Sequence, residues 1–310
     1  MVAPVTVLLA TYNGLPYLDE QIRSLKAQTV PFRCLVQDDG SEDGTREVLE
    51  TLFQEDPRFF PAGEQGQHLG AAANFLSLLR QVSGPVALCD QDDIWEADKL
   101  EVLMQNLSQA EAHYGSGMPL LIHSDLEVIG PDGETIHPSF FRHQKWNPEA
   151  NTLPQLLVQN NVTGCACLLS DSLRALIARY ARADQMFMHD WFIAQSAACF
   201  GRIQFVDRTL VRYRQHGDNA IGASKTGIFG RFMKALAMPR KARARVEVNL
   251  TEAECLLKSY GKTLPASQER IIRQYMSIPQ HNKFLRPYYL RKGNYLMQNP
   301  TLRLGQYLLT

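Results

Sequence analysis

The sequence predicts a mixed α/β fold, in which a doubly wound sheet carries helices on both faces and is followed by a helical, basic carboxy-terminal extension. Two observations lead to this prediction. Apolar runs of strand length alternate with amphipathic runs of helical length through the first part of the chain. Helical patterns rich in Lys and Arg, separated by prolines, fill the last part. A chain of 310 residues with 45% hydrophobic content can bury one large core or two smaller ones.

The first elements form a strand–helix–strand–helix pattern. Residues 5–10 are a continuous aliphatic and β-branched run, which is typical of a strand buried on both faces of a parallel sheet. A turn at 11–14 leads into a helix that stops near Pro31, and a second strand follows at 33–37. The loop at 38–45 opens the second helix. In sheets of this kind, ligands bind at the carboxyl ends of the strands.

The remaining elements are predicted from the same two periodicities. They are a helix ending near residue 82, a strand at 86–88, a helix at 99–107, strand material at 120–129, a loop and strand at 160–169, and helices at 172–180 and 191–198. Residues 137–150 are aromatic and are predicted to be irregular.

The strand at 86–88 is followed at once by three carboxylates, Asp90, Asp92 and Asp93. Carboxylates this close repel one another and raise each other's pKa unless a cation or hydrogen-bond donors keep them ionised. Oxygen ligands without a cysteine–histidine spacing suit Mg²⁺ or Mn²⁺, which bind carboxylates together with substrate phosphates. The alternative is an acidic turn in which Asp93 caps a helix that begins near Trp95.

Two further loops at strand ends are candidate ligand sites. Asp39 can accept a hydrogen bond from a base-edge N–H or a ribose hydroxyl, or it can hold its own turn or cap the following helix. The segment 66–75 is a glycine-led helix start whose amides, including that of Gly70, could face a phosphate. Small residues are common at helix starts, so this second signal is weak by itself.

Chemistry-bearing residues also occur downstream. His189 and Asp190 open an apolar helix, where Asp190 is either a helix cap or a general base that faces the site. His216 leaves a strand and enters a Gly-Asp-Asn turn. A histidine in that position can bind a metal ion or a diphosphate, although a lone turn histidine more often does neither.

Charge and cysteine usage indicate where the protein works. Residues 221–310 hold 16 Lys and Arg but only 4 Asp and Glu, while the whole chain has a net charge of zero. Such asymmetry suggests that the basic part meets an anionic surface. The six cysteines form no zinc spacing and lie mostly in apolar runs, which predicts reduced core residues and a cytoplasmic protein. No signal peptide or transmembrane segment is predicted.

The motifs, taken together, resemble family 2 of the glycosyltransferases and, within it, the bacterial rhamnosyltransferase-like branch. The matching stretches are 11–14, 37–45, 90–95 with Lys99 and Leu100, 189–191 and 213–219. Their order and spacing look like the family from about residue 4 to residue 222. Five motifs in order are far more specific than any one of them. The resemblance implies a GT-A fold and inverting transfer of a sugar from a nucleotide donor.

The resemblance also implies residue roles on the donor side. Tyr12 would stack on the base, Asp39 would accept its imide hydrogen, and Asp92 would hold the ribose or sugar. The full set expected to contact the nucleotide sugar is Thr11, Tyr12, Asn13, Asp39, Gly70, Asn74, Asp90, Gln91, Asp92 and Arg214. The family often has a basic residue before the asparagine that matches Asn74, where this chain has three alanines. Neutralisation of the diphosphate would then fall on the metal ion, His216 or Arg214.

Metal, base and acceptor roles follow from the same resemblance. Asp93 and His216 would bind Mg²⁺ or Mn²⁺, Asp190 would be the catalytic base, and Gly164, His189 and Trp191 would lie on the acceptor side. The reaction needs these parts. A base must take the proton of the acceptor hydroxyl, and a counter-charge must stabilise the departing diphosphate.

The basic extension has two readings. Residues 229–245, 284–292 and 302–309 mix Lys and Arg with aromatic and aliphatic residues, as in helices that lie on an anionic membrane. Alternatively, these helices pack on the catalytic domain and their basic faces are merely solvated. Nucleic acid is a weaker third partner, because no recognised binding motif is present. We therefore expect a GT-A domain over 1–222, with a donor half at 1–95 and an acceptor half at 96–222, and a helical region over 223–310.

The leading functional hypothesis is a metal-dependent, inverting glycosyltransferase. Its first-choice donor is dTDP-L-rhamnose, with UDP-hexoses still open, and its acceptor is a hydroxyl of a lipid-linked cell-surface glycan such as O-antigen or capsule. The protein would then work as a cytoplasmic enzyme, peripheral to the inner face of the bacterial plasma membrane. The competing hypotheses are a Mg²⁺-dependent nucleotidyltransferase and an inactive nucleotide-sugar-binding protein. A nucleotidyltransferase should carry a glycine-rich basic signature after the first strand, and the sequence after Ala10 has none.

Overall fold

A computed structural model describes residues 5–63, 68–216 and 239–309. Nine strands are present in this part of the chain: β1 Val5–Thr11, β2 Phe32–Asp38, β3 Phe59–Pro61, β4 Val86–Cys89, β5 Ile94–Trp95, β6 Leu120–Ile129, β7 Thr135–His137, β8 Cys167–Leu169 and β9 Arg202–Arg214. They form one sheet in the order β3-β2-β1-β4-β8-β6-β9-β5, with β7 paired to β6.

Helices cover both faces of this sheet. In the described residues they are α1 Leu15–Lys26, α2 Thr45–Glu55, α3 Ala71–Arg80, α4 Lys99–Tyr114, α5 Phe140–Gln144, α6 Leu153–Leu156, α7 Asp171–Tyr180, α8 His189–Phe200, α9 Pro239–Tyr260, α10 Ala266–Ser277, α11 Arg286–Lys292 and α12 Pro300–Leu309. Along β1, Leu8 belongs to one core cluster and Val7 and Leu9 belong to the other. The alternation of side chains along a strand thus divides the apolar core into two layers.

The sheet is mixed. Strands β2, β1 and β4 are parallel neighbours, as the βαβα pattern predicts, and their carboxyl ends meet at one edge. Strand β8 runs antiparallel to both β4 and β6. The prediction of a mixed doubly wound sheet with helices on both faces is confirmed, and the sheet edge holds the loops that carry the sequence motifs.

Two local predictions are wrong. No helix begins at Trp95, because Ile94 and Trp95 form β5 and pair with β9, and helix α4 begins four residues later at Lys99. Asp93 is therefore not a helix cap. The segment 137–150 is not wholly irregular, since Ser139 accepts a hydrogen bond from the amide of Arg142 at 3.1 Å and so caps the short helix α5.

The carboxy-terminal helices pack on the sheet domain. Ala253 and Leu256 of α9 and Ile272 of α10 lie in the same apolar cluster as Phe192 of α8 and Leu173 of α7. The described helices therefore pack on the sheet domain, and contact of their basic faces with a membrane stays a prediction. Part of the basic segment, residues 229–238, lies outside the described residues. Among the described helices, none is both long and apolar enough to cross a membrane.

Candidate active site

The first loop of the site follows β1 and is held by the loop that follows β4. The side-chain amide of Gln91 accepts a hydrogen bond from the amide of Tyr12 at 2.7 Å and donates one to the Tyr12 carbonyl at 2.8 Å. A Cβ on Gly14 would come within 2.3 Å of Gln91 Oε1, so only glycine allows this approach. Gln91 thus fixes the backbone, while the ring of Tyr12 remains 45% exposed. An exposed aromatic ring on a fixed loop can stack on a nucleotide base.

The other residues of the first two loops bind one another. Thr11 Oγ1 donates to Asp38 Oδ1 at 2.9 Å. The amide of Asn13 donates to Ser41 Oγ at 2.8 Å, and Asn13 Oδ1 accepts from the amide of Glu42. These bonds cross-link the carboxyl ends of β1 and β2. The predicted contacts of Thr11 and Asn13 with the nucleotide sugar stay predictions.

Asp39 holds a neighbouring segment. Its two carboxylate oxygens accept hydrogen bonds from the amides of Leu69 at 2.6 Å and Gly70 at 2.8 Å, and its side chain is buried. Asp39 therefore stabilises residues 68–70 rather than its own turn. The amide of Gly70 is correspondingly directed at Asp39. The contact of Asp39 with a nucleotide base stays a prediction.

Asn74 lies in the first turn of α3. Its side chain is buried, and Nδ2 donates to the carbonyl of Gln37 at 3.3 Å. Its contact with the nucleotide sugar stays a prediction.

The acidic stretch after β4 contains a buried cluster. One ligand atom each from Asp90, Asp93 and Cys165 lie within 4.8 Å of one another. Burial raises the pKa of Asp93 to about 7, and the charge of Asp92 adds to the rise. Burial also raises the pKa of Asp90 well above its ordinary range, with further contributions from the charges of Asp93, Asp92 and Asp190. Asp190 lies near this acidic edge, formed by Asp90, Asp92 and Asp93, because a Cβ on Gly164 would lie 3.5 Å from Asp190 Cβ and the next residue, Cys165, belongs to the cluster.

The sequence motif included Lys99 but gave it no role. Its ammonium group is fully buried, donates to the carbonyl of Cys165 at 2.5 Å and lies 3.0 Å from the centre of the Trp95 ring. Its charge lowers the pKa of both Asp90 and Asp93. Part of the positive charge expected at the cluster is thus supplied by the chain itself. A lysine in the first helical turn, where the helix dipole disfavours a cation, was the available signal.

Asp92 and His216 form a separate pair. His216 Nε2 lies 2.7 Å from Asp92 Oδ2, and the two side chains are 12% and 14% exposed. The sequence paired His216 with Asp93 as metal ligands, whereas Asp93 is fully buried and Oδ1 accepts the amide of Arg214 at 3.0 Å. The structure therefore places the histidine against the middle carboxylate of the motif.

The guanidinium of Arg214 is bound by other parts of the chain, and its contact with the diphosphate stays a prediction. Its side chain is only 1% exposed, and its guanidinium donates to the carbonyl of Asp92 at 2.9 Å, to the carbonyl of Pro131 at 2.7 Å and to the Glu20 carboxylate. These bonds direct the charge into the protein. Arg214 instead supports the loop that carries Asp92.

Asp190 lies in the first turn of α8 and is not the helix cap, a position held by Met188. Burial raises its pKa to about 6, while the amides of Trp191 and Gly164 and the side chain of Asn160 oppose that rise. A Cβ on Gly164 would come within 3.0 Å of His189 Nε2, so the glycine allows its loop to approach the start of α8 closely. A carboxylate with a pKa near 6 is ionised at neutral pH and is a stronger base than an exposed aspartate.

The residues that flank Asp190 are packed into the protein. His189 stacks on Phe75 with 4.1 Å between ring centres, and burial lowers its pKa to about 3, so its ring is neutral. Trp191 is buried and donates from Nε1 to the carbonyl of Leu156 at 2.5 Å. The predicted acceptor contacts of these two side chains stay predictions. Their packing fixes α8 and, with it, Asp190.

Comparison with known proteins adds independent observations. The model of "Glycosyl transferase family 2" matches residues 6–176. The dTDP-rhamnosyl transferase RfbG of Shigella flexneri is 24% identical over 252 residues, which cover 77% of this chain and 82% of that protein. A GalNAc(5)-diNAcBac-PP-undecaprenol beta-1,3-glucosyltransferase of Campylobacter jejuni is 31% identical over 111 residues, covering 35% and 36% of the two chains.

A solved structure matches the fold over nearly the whole chain. The mannosyltransferase PcManGT from Pyrobaculum calidifontis, in complex with GDP-Man and Mn²⁺, superposes with a TM-score of 0.54 at 17% identity. The match covers 98% of this chain and 80% of that one. The fold predicted from the sequence is thereby confirmed as GT-A.

Proposed function

This chain belongs to glycosyl transferase family 2 and is a glycosyltransferase, and we propose that it catalyses metal-dependent, inverting transfer with Asp190 as the base. The observation that carries the proposal is that one short segment contacts both groups, since a Cβ on Gly164 would lie 3.5 Å from Asp190 Cβ and the next residue, Cys165, clusters with Asp90 and Asp93. A base and a donor-binding edge thus share one site. Membership in the family sets aside the nucleotidyltransferase alternative.

The chemistry divides between the two sides of the site. Asp190 accepts the proton of the acceptor hydroxyl as that oxygen attacks the anomeric carbon of the donor sugar. General base catalysis of this kind contributes about 10²–10⁴-fold to the rate. The nucleotide diphosphate departs on the opposite side, so the configuration at the anomeric carbon inverts. Tyr12 supports the base of the nucleotide from the loop that Gln91 holds.

We assign the metal ligands to Asp92 and His216. The Asp90–Asp93–Cys165 group suits a hard divalent cation poorly, because burial raises the pKa of the Cys165 thiol well above its ordinary range and Lys99 already lies beside the group. Asp92 and His216 offer one oxygen and one nitrogen 2.7 Å apart at partly exposed positions. Mn²⁺ or Mg²⁺ bound there would neutralise the charge of the departing diphosphate.

For the donor we propose dTDP-L-rhamnose first and UDP-hexoses second. The support is the Asp-Gln-Asp-Asp-Ile-Trp motif and the similarity to the dTDP-rhamnosyl transferase. A thermal-shift screen over dTDP-L-rhamnose, UDP-glucose, UDP-galactose and GDP-mannose, each with and without Mn²⁺, tests this order. We expect a Mn²⁺-dependent stabilisation that is largest for dTDP-L-rhamnose. An equal or larger shift with another donor would replace it.

For the acceptor we propose a lipid-linked cell-surface glycan, reached by peripheral binding of the carboxy-terminal region, residues 223–310, to an anionic membrane. The similar Campylobacter enzyme is named for an undecaprenol-linked substrate. Phe284, Leu285 and Tyr288 are 80%, 51% and 56% exposed, although each is a large apolar side chain. Lys283 lies 5.1 Å from the Phe284 ring and Lys292 lies 5.7 Å from the Tyr288 ring. Apolar side chains flanked by lysines are typical of surfaces that bind anionic lipid.

Sedimentation with liposomes tests the membrane contact. We expect the wild type to sediment with vesicles that contain phosphatidylglycerol at low salt, and Phe284→Ser with Tyr288→Ser to weaken sedimentation. Ile136→Ser is the matched control, because Ile136 is an exposed apolar side chain on β7, outside this region. If the double variant sedimented like the control, the proposed surface would be wrong. If the wild type did not sediment at all, the membrane proposal would be abandoned.

A further inference from the structure

One buried carboxylate of the carboxy-terminal region reaches the catalytic domain. Glu252 lies on α9 and has no exposed surface. Its Oε1 accepts hydrogen bonds from the amide of Phe187 and, at 3.3 Å, from the amide of Met188. Within the part of the chain that the structure describes, Oε2 has no hydrogen-bond partner. Glu252 is therefore an interior carboxyl group whose observed partners are two consecutive backbone amides, and burial raises its pKa to about 7 while these amides oppose the rise.

These amides lie immediately before the helix that carries Asp190. Met188 is the capping position of α8, and no side chain of its own segment caps that end. An anion at a helix start is favoured by the helix dipole and supplies acceptors that the local chain lacks. Glu252 thus provides, from a distant helix, an acceptor for the segment that leads into the first turn of α8.

A second contact between the same two helices provides a comparison. Tyr260, also on α9, donates from its hydroxyl to Ser196 Oγ at 2.8 Å. Ser196 lies well along α8, away from its first turn. Both contacts hold α9 against α8, but only that of Glu252 holds the residues next to Asp190.

We propose that Glu252 is a positioning residue that fixes the 187–188 backbone, so that the carboxy-terminal helices complete the catalytic site. The inference rests on the proposed role of Asp190 as the base. Displacing a catalytic group by about 1 Å can lower the rate on the order of 10²-fold. Loss of the Glu252 acceptor should therefore lower kcat and leave donor binding nearly unchanged.

The test compares Glu252→Ala, Glu252→Gln and Tyr260→Phe with the wild type. The assay is release of nucleotide from the donor that the screen selects, at a temperature below the midpoint of unfolding of every variant. We expect Glu252→Ala to lower kcat about 10- to 100-fold with little change in donor KM. Glu252→Gln, whose carbonyl can still accept both bonds, should restore most of kcat. Tyr260→Phe should lower thermal stability and leave kcat close to the wild-type value.

A readout independent of activity accompanies the kinetics. Amide hydrogen exchange at residues 187–190 should be faster in Glu252→Ala than in Tyr260→Phe, at equal distance from the unfolding temperature. If Glu252→Ala does not fold, Glu252→Asp replaces it, because the shorter side chain withdraws the acceptor and keeps the charge. The same fall in kcat and the same faster exchange are expected for it.

The outcomes separate this inference from the proposed function. If Asp190→Asn retained transfer, the base assignment and the role of Glu252 would both fail. If Asp190→Asn abolished transfer while the Glu252 variants matched Tyr260→Phe in kcat and in exchange, only the positioning role would be overturned. Equal losses in Glu252→Ala and Glu252→Gln would also overturn it, because glutamine keeps the acceptor.

Discussion

The acidic edge after β4 and the first turn of α8 both present carboxylates to one site, but different parts of the chain hold them. Around the edge, Asp93 accepts the amide of Arg214, Asp92 contacts His216, and Lys99 lies beside the cluster. All three partners belong to the sheet domain. The start of α8 is instead held by Glu252 of the carboxy-terminal region. We therefore expect that binding of the nucleotide sugar and proton transfer can be disrupted separately.

The two regions also differ in their electrostatics. At the edge, burial raises the pKa of Asp90 and Asp93, neighbouring carboxylates add to the rise, and Lys99 opposes it. At α8, burial is the largest cause of the rise in the pKa of Asp190, and hydrogen bonds oppose it. We therefore expect the edge to depend on a cation, whether Lys99 or a metal ion, and the base to depend on its shielding from water.

The largest expected effect is a loss of activity without a loss of nucleotide binding. Asp190→Asn removes the proposed base and should lower kcat about 10²–10⁴-fold, while the Mn²⁺-dependent affinity for nucleotide is retained. Steady-state kinetics and calorimetry measure the two quantities. Asp207→Asn is the control, because Asp207 is an exposed carboxylate on β9. Normal transfer by Asp190→Asn would remove it as the base.

The next effect is on stability. Lys99→Met removes a buried ammonium group together with its contacts to the Cys165 carbonyl and the Trp95 ring, and should lower the free energy of unfolding by about 1–3 kcal/mol. Lys258→Met removes a half-exposed lysine whose ion pair with Glu254 is worth at most about 1 kcal/mol. Denaturant titration at pH 7.5 compares the two. If both variants were equally stable, Lys99 would not balance the cluster.

The smallest effect is the pH dependence of the rate. The pKa of Asp190 is raised to about 6, so the base is ionised above that pH and becomes protonated below it. The acid limb of kcat should therefore have its midpoint near pH 6, with activity lost as the pH falls. A profile of kcat against pH from 5 to 8 measures this. A profile that is flat over that range would contradict the assignment of Asp190 as the base.

The sequence predicted the acidic edge better than the start of α8. Strands β1 and β4 are largely apolar runs, β2 has an apolar centre at 34–36, and each is followed by a polar loop, so local pattern was enough to predict their ends at one edge. The two-residue strand β5 was missed, because a run this short has no periodicity and forms only by pairing with β9. The position of the acidic motif was therefore predictable, while the structure that follows it was not.

Partners from distant elements were not predictable. Nothing near Asp92 in the sequence shows that it, rather than Asp93, contacts His216, since the choice depends on which side chain of the turn points inward. Glu252 was hidden in the same way, because a glutamate in a charged helix is ordinarily solvated. Only tertiary packing shows that this one is buried against the amides before α8.

The most direct test of the account measures Mn²⁺-dependent binding of the donor nucleotide to Asp92→Asn and Asp190→Asn by calorimetry, beside transfer by the same samples. We predict that Asp92→Asn loses the Mn²⁺-dependent part of the affinity and that Asp190→Asn keeps it while losing transfer. Unchanged Mn²⁺-dependent binding by Asp92→Asn, or loss of that binding in Asp190→Asn, would contradict the division of the site into a donor edge and a separate base.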